Sequence, residues 1–341
     1  MVMANCKLTD CTVAEDGRCL EGRGGDCPNL LADSSPVPLA TQPSPVDNSN
    51  LNASVHYPPV ETLHLGVPLE IADAQEFCRR GRAIVVTLVG MTETGKTSLL
   101  ARFHQLFQSG PVGGYDFAGS RTLPRFEELN WLATIESGVG TPRMEHSSRQ
   151  YDNSFLHFTV RERVIGSEPF DILLNDISGE TFPEVIAAES VCEQLLCLSR
   201  ADHLAVIVDG AAITKRHLRH DHVAKAMNFV QRVLQTGQIN KQTVLHLIIT
   251  KLDELSKEEQ KAENLEAAEK LETDFKVQFS SRVARIHCWR LAARPLDGSM
   301  PTEEIVTQLF STWAGSTCRY ENGSTPLGSI EHARDFCRFG S

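Results

Sequence analysis

Val86-Thr87-Leu88-Val89-Gly90-Met91-Thr92-Glu93-Thr94-Gly95-Lys96-Thr97-Ser98-Leu99-Leu100 reads as a buried strand, a glycine-bounded loop and the first turn of a helix. Residues 90–97 fit G-x-x-x-x-G-K-[ST], the phosphate-binding P-loop. Backbone N–H groups of Thr92, Glu93 and Thr94, between Gly90 and Gly95, are spaced to wrap a β-phosphate. The helix that starts near Lys96 and carries Ser98 in its first turn adds its positive N-terminal end. Glycine lets the backbone turn tightly and approach the phosphates. Lys96 supplies a point charge for the β- and γ-phosphates, and the Thr97 hydroxyl is a Mg²⁺ ligand.

The flanks agree with that reading. Residues 83–89 are almost wholly apolar, as a strand buried on both faces requires. After the loop, Leu99, Leu100, Phe103, Leu106 and Phe107 recur at helical spacing. The 341 residues allow one large domain or two smaller ones, and 41% hydrophobic content is ample for a core. A net charge of −11, from 44 acidic and 33 basic residues, argues against nucleic acid or anionic lipid as default partners. No apolar run reaches membrane-spanning length and the N-terminus has no signal-peptide core, so a cytoplasmic location is expected. In that compartment ten cysteines are thiols or metal ligands rather than disulfides.

In chain order, residues 1–30 hold Cys6, Cys11, Cys19 and Cys27 with glycine-containing turns between them. Four thiolates can enclose a tetrahedral Zn²⁺, which folds a segment too small for its own core, so a structural zinc element is expected here. Residues 31–60 are rich in Pro, Ser, Asn and Asp and read as a disordered linker. Residues 61–82 form a lead-in: an extended piece around residues 63–65, then a helix over 72–80 with Asp73 at its N-terminal end, packed on the edge of the main domain.

From residue 83 the pattern alternates. Strand-like runs occur at 83–89, 154–160, 170–175, 203–208, 243–249 and 283–289. Helical patterns occupy 184–199 (Val185, Ala188, Cys192 and Leu195 on one face), 219–236, 257–275 and 302–314. Strands alternating with helices predict an α/β, three-layer fold with a mostly parallel sheet covered on both faces, spanning 83–314. Residues 110–153 have no clear period, and a connection of that length is usually functional or partly ordered on its own. Residues 315–341 are a tail in which 329–338 allow a short amphipathic helix.

Two further motifs carry chemistry. Asp176-Ile177-Ser178-Gly179-Glu180 ends the apolar strand at 170–175. In a P-loop fold such an Asp points at the Mg²⁺ through water, and a Gly three residues on brings its N–H to the γ-phosphate. Thr250-Lys251-Leu252-Asp253 follows the strand at 243–249. With the P-loop, these motifs resemble the G1, G3 and G4 boxes of the translation-factor-related and Ras-like P-loop GTPases. The resemblance implies that Asp253 binds the guanine N1–H and 2-amino groups and that the Lys251 stem lies along the base. Leu291-Ala292-Ala293-Arg294 resembles the G5 box, which implies that a backbone N–H at Ala292 or Ala293 contacts guanine O6. A switch threonine is expected between the P-loop helix and the second strand: Thr122 is the first candidate, Thr134 and Thr141 the alternatives. Arg121 and Arg125 lie nearby; either is a possible internal arginine finger or a solvated loop charge.

The chain departs from the Ras-like pattern after Gly179. Glu180 stands where a Gln usually orients the attacking water, so slow unassisted hydrolysis is expected. Taken together, the cysteine-rich start, Gly119-Ser120-Arg121-Thr122 and residues 175–180 and 250–253 are similar to the bacterial double-GTPase proteins of predicted conflict or signalling systems. The resemblance implies GTP/GDP with Mg²⁺ as ligands, catalysis by Lys96, Thr122, Gly179 and Glu180, and protein partners that include a second GTPase-like protein. The alternative is a nucleotide-gated scaffold that binds GTP with little hydrolysis.

Overall fold

The computed structural model describes residues 5–6, 30–31, 66–132, 152–256, 261–293 and 302–316. The chain divides into two units, Met1–Glu61 and Thr62–Ser341. In the first, β1 (Asn5–Cys6) pairs antiparallel with β2 (Leu30–Leu31). Of the expected zinc ligands, Cys11, Cys19 and Cys27 lie outside the described residues, as does the Cys6 side chain; so do the linker at 32–60 and residues 317–341 of the tail.

The second unit is built on a seven-stranded sheet in the order β4-β5-β6-β3-β7-β8-β9. Its strands are β3 (Ala83–Val89), β4 (Tyr115–Gly119), β5 (Leu156–Glu162), β6 (Phe170–Asp176), β7 (His203–Asp209), β8 (Val244–Thr250) and β9 (Arg285–Arg290). From β6 to β9 every pairing is parallel; β4 and β5 extend the sheet antiparallel. All seven residues of β3 are buried, because both faces of the central strand are covered. Ile84, Val86 and Leu88 pack with Leu99, Phe103 and Phe310, from the helices Lys96–Ser109 and Thr302–Ala314. Val85 and Val89 pack in a second core with Phe182, Phe229 and Phe275. Two of those rings come from the long helices Arg216–Gln235 and Lys261–Phe279.

The lead-in helix is Ile71–Arg80; the Asp73 carboxylate accepts the Glu70 N–H at 3.1 Å. Leu69, fully buried, bridges antiparallel to Phe155 and fastens this segment beside β5.

Two expected helices differ in the structure, and the long connection is partly ordered as expected. The helix expected over 184–199 is three short ones, Thr181–Ala187, Glu189–Gln194 and Leu196–Arg200. Val185, Cys192 and Leu195 are buried as the period requires, but Ala188 is extended (φ −133°, ψ 125°) and Leu195 leaves helical geometry (φ −86°, ψ 78°). The aperiodic stretch 110–153 contains β4 and a helix, Leu123–Leu132. β4 is an edge strand whose only fully buried residue is Tyr115, so no alternation shows in its sequence. The helix carries Pro124 in its first turn, where a missing N–H breaks no helical bond, and anchors through Phe126 and Leu129. The helix expected over roughly 257–275 is described as Lys261–Phe279 and runs on past 275, with Phe279 as a further core residue; residues 257–260 lie outside the described residues.

Candidate functional site

Gly90, Ile177, Gly210, Lys251 and Leu291 each follow the C-terminal end of a parallel strand, so the loops they begin gather along one edge of the sheet. In open α/β sheets that edge is where ligands bind. Gly90 lies against the neighbouring strand: a Cβ there would stand 2.5 Å from the Ile207 carbonyl oxygen. Glu93 (φ 63°) and Gly95 (φ 91°) are both left-handed, and the helix Lys96–Ser109 begins directly after them. Thr92 and Glu93 are exposed at the lip of the loop, Thr94 is buried beneath it, and Ser98 is half-buried in the first helical turn.

The Lys96 side chain folds back over this loop. It is 5% exposed, and its ammonium donates to the Gly90 and Met91 carbonyls at 3.0 and 3.1 Å. Burial lowers its pKa, opposed by the negative charges of Asp176 and Asp152. Beside it the Thr97 hydroxyl donates to Asp176 Oδ2 at 2.8 Å. A hydroxyl and a carboxylate oxygen side by side form a hard-oxygen donor set, which suits Mg²⁺. Gly179 presses its backbone on the loop; a Cβ there would lie 2.3 Å from the Thr92 nitrogen. Glu180 is exposed just beyond, its N–H turned to Ser178 Oγ at 3.3 Å.

The 250–253 turn is tied to the same loop. Thr250 Oγ1 donates to the Thr94 carbonyl at 2.7 Å and lies 3.2 Å from the Val208 carbonyl. Lys251 is left-handed (φ 51°), and its ammonium donates to Asp209 Oδ2 at 3.0 Å. Asp209 Oδ1 also accepts the Ala211 N–H at 2.9 Å, capping the short helix Gly210–Thr214. Asp253 is half-buried in the first turn of Leu252–Leu255. The Leu252 N–H donates to the Leu291 carbonyl at 3.2 Å, which sets Ala292 and Ala293, both buried, next to this turn.

The remaining candidates have other partners. Thr122 is fully buried, and its hydroxyl accepts the His157 N–H at 2.9 Å. The Thr122 N–H goes to Ser120 Oγ at 3.0 Å, and the Arg121 N–H to His157 Nδ1 at 3.0 Å. Residues 119–122 are thereby knotted to β5, and these bonds do not link Thr122 to the Thr97–Asp176 pair. The Arg121 guanidinium lies over the Phe77 ring at 4.8 Å, and Arg125 pairs with Glu128 at 2.6 Å. Thr134 and Thr141 lie outside the described residues.

Sequence reasoning missed two acidic residues. Asp209 ends an apolar strand as Asp176 does, and that parallel could have found it. Asp152 has no such signal: it lies in the aperiodic connection, and its partners Ser178 and Thr181 are distant in sequence. Among the described residues no group of three or more His, Cys, Asp or Glu side chains is arranged to hold a metal ion, and no helix is long and apolar enough to cross a membrane.

A family model described as Double-GTPase 2 matches residues 84–314. No curated protein matches the chain. Among solved structures, the signal recognition particle receptor SRb-GTP/SRX complex from Chaetomium thermophilum aligns over 68% of this chain and 99% of the matched one, at 13% identity and a TM-score of 0.39.

Proposed function

Because the chain belongs to the Double-GTPase 2 family, we propose that it is a guanine-nucleotide switch that hydrolyses GTP to GDP and phosphate with Mg²⁺, working in a multi-protein bacterial signalling or conflict system with a second GTPase-like partner. The observation that carries this reading is the 2.7 Å bond from Thr250 to the Thr94 carbonyl, which locks the base-reading turn to the phosphate loop. In this reading the loop N–H groups and Lys96 hold the phosphates, and the Gly179 N–H faces the γ-phosphate. Thr97 binds Mg²⁺ directly and Asp176 through water; the ion, when bound, neutralises charge on the phosphate oxygens. Ala292 and Ala293 offer a backbone N–H to guanine O6. Thr122 is the proposed switch threonine, with Thr134 and Thr141 as the alternatives; here its hydroxyl accepts the His157 N–H. Glu180, exposed where a water would be oriented, supports low intrinsic turnover and keeps the scaffold reading as the alternative. Residues 1–30 are proposed to hold a structural Zn²⁺ through Cys6, Cys11, Cys19 and Cys27.

Asp253 gives the decisive test. An ionised carboxylate only accepts, so it can take both the N1–H and 2-amino bonds of guanine. Adenine lacks that donor pair and would leave the carboxylate poorly paired, at a cost of about 1–3 kcal/mol, enough for at least roughly tenfold discrimination. Asp253→Asn supplies an amide that matches xanthine, which carries a carbonyl in place of the 2-amino group. The variant is expected to lose GTP affinity and gain xanthosine triphosphate affinity. Titrations of GTP, ATP and xanthosine triphosphate measure this; wild type that binds ATP as well as GTP would defeat the guanine assignment.

A further inference from the structure

We propose that Asp152 is a positioning residue for the γ-phosphate contact: its buried carboxylate holds the backbone on both sides of Gly179, so the end of the long connection before β5 sets where that glycine stands against the phosphate loop. This rests on the guanine-nucleotide reading above. Asp152 is 7% exposed. Its Oδ1 accepts the Ser178 N–H at 2.6 Å, one residue before Gly179, and its Oδ2 accepts the Thr181 hydroxyl, two residues after. A carboxylate taken from water must be paid back in bonds of this kind, and bonds to an ionised acceptor are the strong ones. Both go to the turn that carries Gly179.

The seat of Asp152 is itself built. Asn175, fully buried in β6, donates from Nδ2 to the Asp152 carbonyl at 2.8 Å and to the Ser154 carbonyl at 2.7 Å. The Cys197 thiol also donates to the Asp152 carbonyl. The Asp152 backbone is therefore anchored to the sheet, and its side chain transmits that anchor to Ser178 and Thr181. Gly179 has no slack on its other side, since even a Cβ would collide with Met91 and Thr92. The γ-phosphate N–H is thus located between a rigid phosphate loop and a rigid carboxylate. Loss of the carboxylate would free the turn while Thr97 and the base turn keep their contacts; it would also remove one of the two carboxylate charges that act on Lys96. The β-phosphate and base contacts are shared by GDP and GTP, whereas Gly179 is read only by GTP.

The test compares GDP with the slowly hydrolysed analogue GTPγS, each with Mg²⁺, on the full chain. Asp152→Ala is expected to lower the GTPγS-to-GDP affinity ratio about tenfold, the scale of one bond to a charged acceptor; the Asp152 charge also acts on Lys96, which both nucleotides share, so the ratio and not GDP affinity alone is the readout. Asp152→Asn keeps an oxygen for the Ser178 N–H and offers its NH₂ to the Thr181 hydroxyl oxygen, so it is expected to restore most of the ratio. Should the Ala variant fail to fold, Thr181→Val, which is isosteric, removes one of the two bonds and is expected to shift the ratio in the same direction by less. An unchanged ratio, a parallel loss of both nucleotides, or an Asn variant as impaired as the Ala variant overturns the proposal. Wild type that binds neither nucleotide overturns instead the guanine reading beneath it.

Discussion

At Lys96 a charge sits where charge is expensive. The ammonium is nearly water-free, and burial pulls its pKa down while Asp176 and Asp152 push it back. Two loop carbonyls accept its bonds and two nearby carboxylates oppose the fall in its pKa; in the proposed site a phosphate would meet a side chain already desolvated. Lys96→Ala removes the main fixed cation of the loop. It is expected to cost at least roughly tenfold in guanine-nucleotide affinity, the scale of one charge-assisted bond. The helix Lys96–Ser109 stays anchored through buried residues such as Leu99 and Phe103, so the fold should survive. Nucleotide titration beside a melting curve checks both, and near wild-type affinity would remove the phosphate-site assignment. Lys96, Thr97, Asp176 and Thr250 were legible because their motifs are short and each follows an apolar strand. What the sequence did not reveal at Thr122 is that its hydroxyl accepts an N–H from β5.

At the scale of elements, the core strands β3, β6, β7 and β8 were readable because nearly all of their residues are buried, and β4 was not because one residue of it is. The carboxyl-end loops follow from that core; the amino-end packing does not. There Trp289, whose indole only donates, gives its N–H to His246 Nδ1 at 3.1 Å. That assigns the His246 proton to Nε2, 2.9 Å from His203 Nδ1, and the His203 proton to Nε2, 2.8 Å from Ser316 Oγ. The Ser316 hydroxyl donates to the Trp313 carbonyl at 2.7 Å and closes the helix Thr302–Ala314 onto the sheet. A second proton on either ring would oppose a donor. Burial and the neighbouring His203 and His287 place the His246 pKa well below its ordinary value, and burial with Arg285 lowers that of His287. A folded pKa below the unfolded one means the unfolded chain takes up protons first as pH falls. This contribution to stability is full above about pH 6.5 and declines below it, by at most about 1.4 kcal/mol per pH unit for each proton. The thermal midpoint should fall from pH 7 to 5.5, and His246→Gln should flatten that slope. A wild-type midpoint that is level or rising over this range contradicts the assignment.

For the whole molecule, Asn5–Cys6 pairs with Leu30–Leu31, and the two strands lie on either side of Cys11, Cys19 and Cys27 in the sequence. Four thiolates suit one tetrahedral zinc. Protein purified under reducing conditions is expected to carry about one zinc per chain. Chelation should expose residues 1–30 to protease while guanine-nucleotide affinity stays level, since the nucleotide motifs all belong to the second unit. Elemental analysis without zinc would sink the idea; a nucleotide affinity that falls with the metal would show that the two units depend on each other.

What the amino-acid sequence determined by itself is local: a strand buried on both faces, a loop whose glycines face positive φ and a carbonyl, and helices whose apolar period matches their turn. These choices depend on neighbours a few residues away, so composition and spacing reveal them. The sheet order, the break of 184–199 into three helices, the knot at Thr122 and the carboxylate of Asp152 were decided by tertiary structure alone. Each depends on groups tens of residues apart meeting in a space that excludes water. There a polar atom must find whichever partner the fold supplies, and no pattern along the chain records which one that is.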